Sequence, residues 1–235
     1  MNVFITGTSS GLGLGLALYY LKKGHSVYGV SRRQKEELSS NQNYTHLVQD
    51  LSDFDETGTR IEKFLAGIKT LDLVILNAGM LNEIKDLHET DIVEIKRVMD
   101  VNVWANKLLI DKLFKQIPAI KQLVAISSGA SVSGARGWNA YSLSKATLNM
   151  LINLYAKEFT STHFCALAPG LIDSAMQDYI YKLEKYDDFP VVQKLKKAKG
   201  TDQMPNHQDA AKLVANAISD LQKFESGSFQ DVRKM

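Results

Sequence analysis

The feature that most limits what this chain can fold into lies at its start. Val3-Phe-Ile5 is a short run of strand-favouring residues. It passes without a linker into Thr6-Gly7-Thr8-Ser9-Ser10-Gly11-Leu12-Gly13 and then into a helix-like stretch, Leu14 to Lys23. Strand, glycine turn and helix in direct succession admit few folds. Bare backbone can turn tightly and approach a diphosphate, whose charge then meets the unpaired amides of the helix's first turn. The spacing is Gly-x-x-x-Gly-x-Gly, and Leu16 stands where a Gly-x-Gly-x-x-Gly run beginning at Gly11 would need its last glycine. No Gly-Lys-Ser/Thr follows, so the turn is not a P-loop. The alternative is a glycine-tolerant helix entry that holds no ligand.

The alternation continues along the chain. Strand-like runs recur at 26–30, 44–48, 71–76, 123–126, 163–168 and 227–232. Helical patterns lie between them at 54–68, with Ser52 or Asp53 as cap, at 90–117, stopped by Pro118, along the helix that begins near Asn139, and at 208–223. The stretch from Glu36 to Asn43 is polar and loop-like. No repeat, low-complexity tract or linker divides the 235 residues, and 45% hydrophobic residues suffices for a sizeable core. The expectation is one α/β domain over residues 1–235: a doubly wound parallel sheet of seven strands with helices on both faces. The segment from 173 to 205 mixes Tyr179, Tyr181, Tyr186 and Phe189 with lysines and shows no clean period, which suggests a mobile lid over a substrate pocket. After Lys145, residues Leu148, Leu151, Ile152, Leu154, Tyr155 and Phe159 cover more than one helical stripe. That breadth suggests burial on two sides and a homodimer or homotetramer.

Charge and cysteine content exclude several classes. The formal net charge is +2 and no basic patch interleaves with aromatics, so neither nucleic acid nor an anionic membrane is an expected partner. The early apolar segment from Leu12 to Leu21 is broken by glycine, too short to span a bilayer, and follows no basic leader. A cytoplasmic protein is expected. Cys165, the single cysteine, lies in an apolar run and reads as a small core residue. No metal is expected.

The chemistry concentrates in Asn139-Ala-Tyr-Ser-Leu-Ser-Lys145. Four-residue spacing on a helix puts the Tyr141 phenol and the Lys145 ammonium on one face, a turn apart. A free phenol has a pKa near about 10, and a fixed positive charge would stabilise its anion. Ser128 follows the buried run Leu123-Val-Ala-Ile126 and would stand at that strand's carboxyl end beside the same helix. A solvated helix face is the alternative for the pair. At the end of the second strand the chain has Ser31-Arg32-Arg33 rather than an acid, which favours a cofactor with a 2′-phosphate clamped by Arg32. Asp50 either accepts from an adenine amino group or only shapes a turn. Small residues at Asn77-Ala78-Gly79 would let a cofactor lie close to the sheet, with Asn77 tying neighbouring strands together. Asn102, a polar amide in a largely apolar helix, is either a satisfied core group or part of a proton path.

Together, Thr6-Gly-x-x-x-Gly-x-Gly13, Asn77-Ala-Gly79, Asn102, Ser128, Tyr141-x-x-x-Lys145 and Pro169-Gly170 resemble the short-chain dehydrogenase/reductase family in order and spacing, along essentially the whole chain. The resemblance implies a Rossmann-like fold and a catalytic tetrad of Asn102, Ser128, Tyr141 and Lys145. It implies cofactor contacts from Gly7, Ser9, Ser10, Gly11 and Leu12, and from Arg32, Asp50, Asn77, Ala78, Gly79, Pro169 and Ile172, with Tyr141 and Lys145 also touching the cofactor. It moves Asp50 toward the adenine role and Asn102 toward the relay. Two positions depart from the pattern: Leu76 replaces the first of a doubled asparagine, and Ser10 stands where enzymes using the phosphorylated cofactor often carry a basic residue. The run Gly137-Trp138-Asn-Ala-Tyr141 resembles the branch of sepiapterin and benzil reductases. The implied activity is hydride transfer between NADP, with NADPH preferred over NADH, and a carbonyl or secondary alcohol of a small molecule. A non-catalytic NADP sensor and an epimerase or dehydratase on the same fold are the alternatives.

Overall fold

Two-residue alternation along the strands divides their side chains between two cores. Val3, Ile5, Leu73 and Ile75 face one way; Phe4, Val74 and Leu76 face the other. The computed structural model describes residues 1–184 and 186–235, with Ala175 described by its backbone only. Its strands are β1 (Asn2–Thr6), β2 (Ser26–Ser31), β3 (Tyr44–Val48), β4 (Thr70–Leu76), β5 (Ala119–Ile126), β6 (His163–Ala168) and β7 (Ser228–Asp231). They form one parallel sheet of seven in the order β3-β2-β1-β4-β5-β6-β7. The helices are α1 (Gly11–Lys22), α2 (Glu36–Ser39), α3 (Phe54–Phe64), α4 (Ile92–Met99), α5 (Ala105–Gln116), α6 (Ala130–Ser133), α7 (Asn139–Glu158), α8 (Ala175–Tyr181), α9 (Pro190–Ala198) and α10 (His207–Asp220).

Leu16 of α1 and Val214 of α10 pack in the core on one face of the sheet. Ile61 of α3, Leu109 of α5 and Leu148 and Ile152 of α7 pack on the other. Because a parallel sheet is buried on both faces, its inner strands need apolar residues at successive positions, and β1, β4, β5 and β6 supply them. The edge strands β3 (Tyr44-Thr-His-Leu-Val48) and β7 (Ser228-Phe-Gln-Asp231) are more polar. From β1 the chain builds outward through β2 to β3, then crosses to β4 and builds the other way. The crevice between the carboxyl ends of β1 and β4 is therefore the switch point where such sheets bind ligands.

Several expectations change. The helix expected from 90 to 117 is interrupted by a π-helical turn at Asp100–Trp104. There the Asn102 carbonyl accepts a hydrogen bond from Asn106 Nδ2 at 2.8 Å, an arrangement that side-chain periodicity does not reveal. Of the two candidate caps for α3, Asp53 serves, its Oδ1 accepting from the Glu56 amide at 3.1 Å. The short α2 lies where only a polar loop was expected. The aperiodic stretch from 173 to 205 contains α8 and α9, whose Ile180, Val192, Leu195 and Ala198 join Met204, Ile84 and Trp138 in a third apolar cluster. Two helices this short hold too few turns to establish a period; Lys185 lies outside the described residues.

Cys165 is buried in β6, and burial pushes its thiol up to about 12, as suits a core residue. On α7, Leu148, Ile152 and Tyr155 face inward while Leu143, Met150 and Leu154 form an exposed stripe. Among the described residues no helix is long and apolar enough to cross a membrane.

Candidate active site

The glycine turn is folded tightly against the end of β4. Gly7 has φ +77°, and a Cβ there would stand 2.8 Å from Asn77 Nδ2, while a Cβ on Gly13 would stand 2.3 Å from the Gly7 carbonyl. Asn77 ties β4 to β1, its Nδ2 donating to the Thr6 carbonyl at 2.9 Å. Thr6 Oγ1 accepts from the amides of Asn77 at 2.9 Å and Ala78 at 3.0 Å. Ser10 precedes α1 in extended backbone and makes no side-chain cap, so none of the helix's leading amides is taken by it. Ile172 is buried on the loop after β6. A Cβ on Gly11 would touch Ser174 Cβ at 3.4 Å, so this loop reaches the start of α1.

Arg32 and Arg33 are exposed at the end of β2. Ser31 Oγ donates to the Arg33 carbonyl at 2.9 Å and lies 3.3 Å from Thr8 Oγ1, which roots the arginines beside the glycine turn. Asp50 Oδ1 accepts from both the amide of Ser52, at 3.0 Å, and its hydroxyl, at 2.8 Å. The bond from the Ser52 amide is the main reason its carboxyl lies below the usual range, with Arg32 and Arg97 adding smaller effects. The turn-shaping role weighed for Asp50 is thus present in the geometry.

Beyond the switch point, Ser128, Tyr141 and Lys145 meet at the carboxyl end of β5. Lys145 is 4% exposed, and its Nζ donates to the Ile126 carbonyl at 2.7 Å. It lies 5.6 Å from the centroid of the Tyr141 ring. Burial holds the Lys145 pKa down at about 8. The Tyr141 phenol moves the other way. Burial raises its pKa, and the Ser128 hydroxyl beside it opposes that rise only in part. The expected lowering of the phenol by Lys145 is therefore corrected: burial sets the direction of the shift, and the ammonium donates to the strand-end carbonyl of Ile126. Burial thus favours the protonated form of the phenol.

Asn102 is fully buried, and its amide is completely paired. Nδ2 donates to the Met80 carbonyl at 2.9 Å and to Ser144 Oγ at 2.9 Å, while Oδ1 accepts from the Met80 amide at 2.8 Å. Ser144 Oγ donates in turn to the Tyr141 carbonyl at 2.8 Å. A Cβ on Gly79 would stand 3.2 Å from Asn102 Oδ1 and 3.5 Å from Lys145 Nζ, so all four tetrad positions and the Asn77-Ala78-Gly79 edge share one region.

Other positioning residues gave no local signal in the sequence. Asn82 is buried; its Oδ1 accepts from the Tyr141 amide at 2.9 Å and its Nδ2 donates to the Gly137 carbonyl at 3.1 Å, fixing the entry of α7. Asn149 braces the serine loop: Ser127 Oγ donates to Asn149 Oδ1 at 2.5 Å, Asn149 Nδ2 donates to Ser131 Oγ at 2.9 Å, and Ser131 Oγ donates to the Ser128 carbonyl at 2.7 Å. The bonds of Asn82 and Asn149 join residues well apart in the chain.

The family model described as short chain dehydrogenase matches residues 1–185. The chain belongs to the short-chain dehydrogenase family. As a member it is an oxidoreductase that works with a nicotinamide nucleotide. A benzil reductase ((S)-benzoin forming) of Bacillus subtilis is 31% identical over 98% of this chain and 97% of that protein. An NADPH-dependent pterin aldehyde reductase of Arabidopsis thaliana is 31% identical over 74% of this chain and 76% of its own. These two agree with the benzil and sepiapterin reductase branch that the sequence resembles. A crystal structure of a short chain dehydrogenase family protein from Francisella tularensis superposes with TM-score 0.81 at 25% identity, covering 98% of this chain and 96% of that one.

Proposed function

We propose that this chain is an NADP(H)-dependent reductase of small-molecule carbonyl compounds. The observation that carries the proposal is the convergence of a hydroxyl, a protonated phenol and a buried ammonium at the strand ends beside the switch point. The residues present fit a dinucleotide. Glycine at 7 and 13 lets the turn fold against Asn77 and onto itself, where a Cβ would collide, and the start of α1 so placed offers amides to a diphosphate. Arg32 would hold a 2′-phosphate, Asp50 the adenine edge, and Lys145 the nicotinamide ribose. When bound, the nicotinamide supplies the hydride.

The chain's own groups handle the oxygen and the proton. Ser128 Oγ and the Tyr141 hydroxyl would both donate to the substrate oxygen, where charge develops during reduction. A phenol kept protonated by burial is suited to give its proton to the resulting alkoxide. Lys145 supplies positive charge beneath that phenol, so the phenolate left behind is less costly than burial alone would make it. Asn102 holds the Met80 backbone and the Ser144 hydroxyl, so its side chain supports the site as a strut. Residues 173–205 would close over the substrate as a lid, with the apolar cluster around Ile180, Val192 and Trp138 as its hinge-side packing.

NADPH oxidation followed across diketones, pterins, quinones, sugars and β-ketoacyl thioesters would identify the substrate class. With the best substrate, Tyr141→Phe is expected to lower kcat by roughly 100-fold or more, the scale of general acid catalysis, while the NADPH dissociation constant changes little. Turnover equal to that of the unaltered chain would remove Tyr141 from the chemistry.

A further inference from the structure

The C-terminal stretch brings a cation to the serine loop that the residues above do not use. β7 ends at Asp231, in register with Ala168 of β6 and so beside Pro169-Gly170. Asp231 is 7% exposed and grips Arg233 along one edge. Its Oδ1 accepts from the Arg233 amide at 3.0 Å and from Nε at 2.9 Å, and its Oδ2 accepts from Nη2 at 2.5 Å. The guanidinium is thereby fixed in a plane with Nη1 outside the fork. A Cβ on Gly129 would stand 2.9 Å from Arg233 Nη2, and one on Gly170 would stand 3.8 Å from Cγ. Arg233 thus lies across the two loops that carry Ser128 and Pro169, against the residue immediately after Ser128. Its side chain remains 54% exposed, so the free edge is open.

We infer that Arg233 is a specificity-determining residue that donates to a second acceptor oxygen on the substrate, on the carbon next to the reacting carbonyl. The inference rests on the carbonyl-reductase function proposed above. Gly129, against which the guanidinium lies, directly follows Ser128, whose hydroxyl is proposed to polarise the first oxygen. Asp231 balances the arginine's charge while leaving the Nη1 hydrogens without a partner among the described residues, which suits an uncharged ketone oxygen better than a carboxylate. Removing such a donor penalises the substrate that needs it and spares one that lacks the second oxygen.

The test uses the full chain with NADPH and three carbonyl compounds of one skeleton type: phenylpropanedione, propiophenone and phenylglyoxylate. Arg233→Met keeps the stem over Gly170 and removes the donors. It is expected to lower kcat/KM for the dione relative to propiophenone by roughly 10- to 100-fold, the scale of a hydrogen bond to a charged donor, chiefly through KM. Arg233→Lys, which restores one donor, is expected to recover part of that ratio. Unchanged NADPH affinity in both variants shows that the fold and the cofactor site are intact. Equal losses for dione and propiophenone, falling on kcat, would make Arg233 a brace for the serine loop and overturn the inference. Dependence on Arg233 for phenylglyoxylate but not for the dione would mark an anion site and overturn it too. If the unaltered chain oxidises NADPH with no carbonyl at all, the reductase function fails first and takes this inference with it.

Discussion

Lys145→Met tests whether the ammonium is held at the site against its own preference for water. Lys145 is 4% exposed, and burial draws its pKa from 10.5 to about 8. Below about pH 8 the folded and unfolded chains both carry the proton, and folding bears the whole cost of burying the charge. Between about pH 8 and the unfolded value the folded chain releases its proton first, so stability rises with pH; above that window the cost is gone. At about 1.4 kcal/mol for each tenfold change in proton affinity, the cost is about 3 kcal/mol at neutral pH. About 2 kcal/mol of it should be recovered by pH 9.5. Methionine preserves the stem but removes the bond to the Ile126 carbonyl, a loss of about 1–3 kcal/mol that depends little on pH. The absolute change at neutral pH is therefore small, and the slope is the diagnostic quantity. Urea denaturation of both proteins at several pH values from about 7 to 9.5 gives it, because other titrating groups cancel in the difference. The unaltered chain should gain about 2 kcal/mol relative to the variant across that range. Parallel stability curves would show that the ammonium is hydrated in the folded protein, and the argument from its burial would fail.

Two further substitutions examine the cofactor edge and the helix interruption. Arg32→Ala is expected to weaken NADPH binding by roughly 10- to 100-fold, the scale of a charge-assisted hydrogen bond, with little effect on NADH. Fluorescence titration of both nucleotides reads the ratio, and an unchanged preference would clear Arg32 of the 2′-phosphate role. Asn102→Ala leaves the Met80 amide, the Met80 carbonyl and Ser144 Oγ each short of a partner. At about 1–3 kcal/mol per unsatisfied buried group, the total is about 3–9 kcal/mol. A fall in Tm of roughly 10 °C or more should follow. A loss under about 1 kcal/mol would show that the amide is not a strut.

What the sequence determined by itself is what depends on near neighbours. Short apolar runs rich in strand-favouring residues, Val3-Phe-Ile5 and Leu71 to Leu76, are enough to assign buried strands. The glycine spacing identifies the turn, and the interval from Tyr141 to Lys145 places both side chains on one helical face. Tertiary structure alone decided which distant partner each polar group would find. It turned the Lys145 ammonium to the Ile126 carbonyl, buried the Tyr141 phenol so that its pKa rises, and committed the Asn102 amide to Met80 and Ser144. It also brought Asn82 to the start of α7 and Arg233 to the serine loop. A local pattern fixes a side chain's direction on its own helix or strand. The desolvation cost of a buried charge, and the hydrogen bonds that offset it, depend on strand order and register, which bring together residues far apart along the chain.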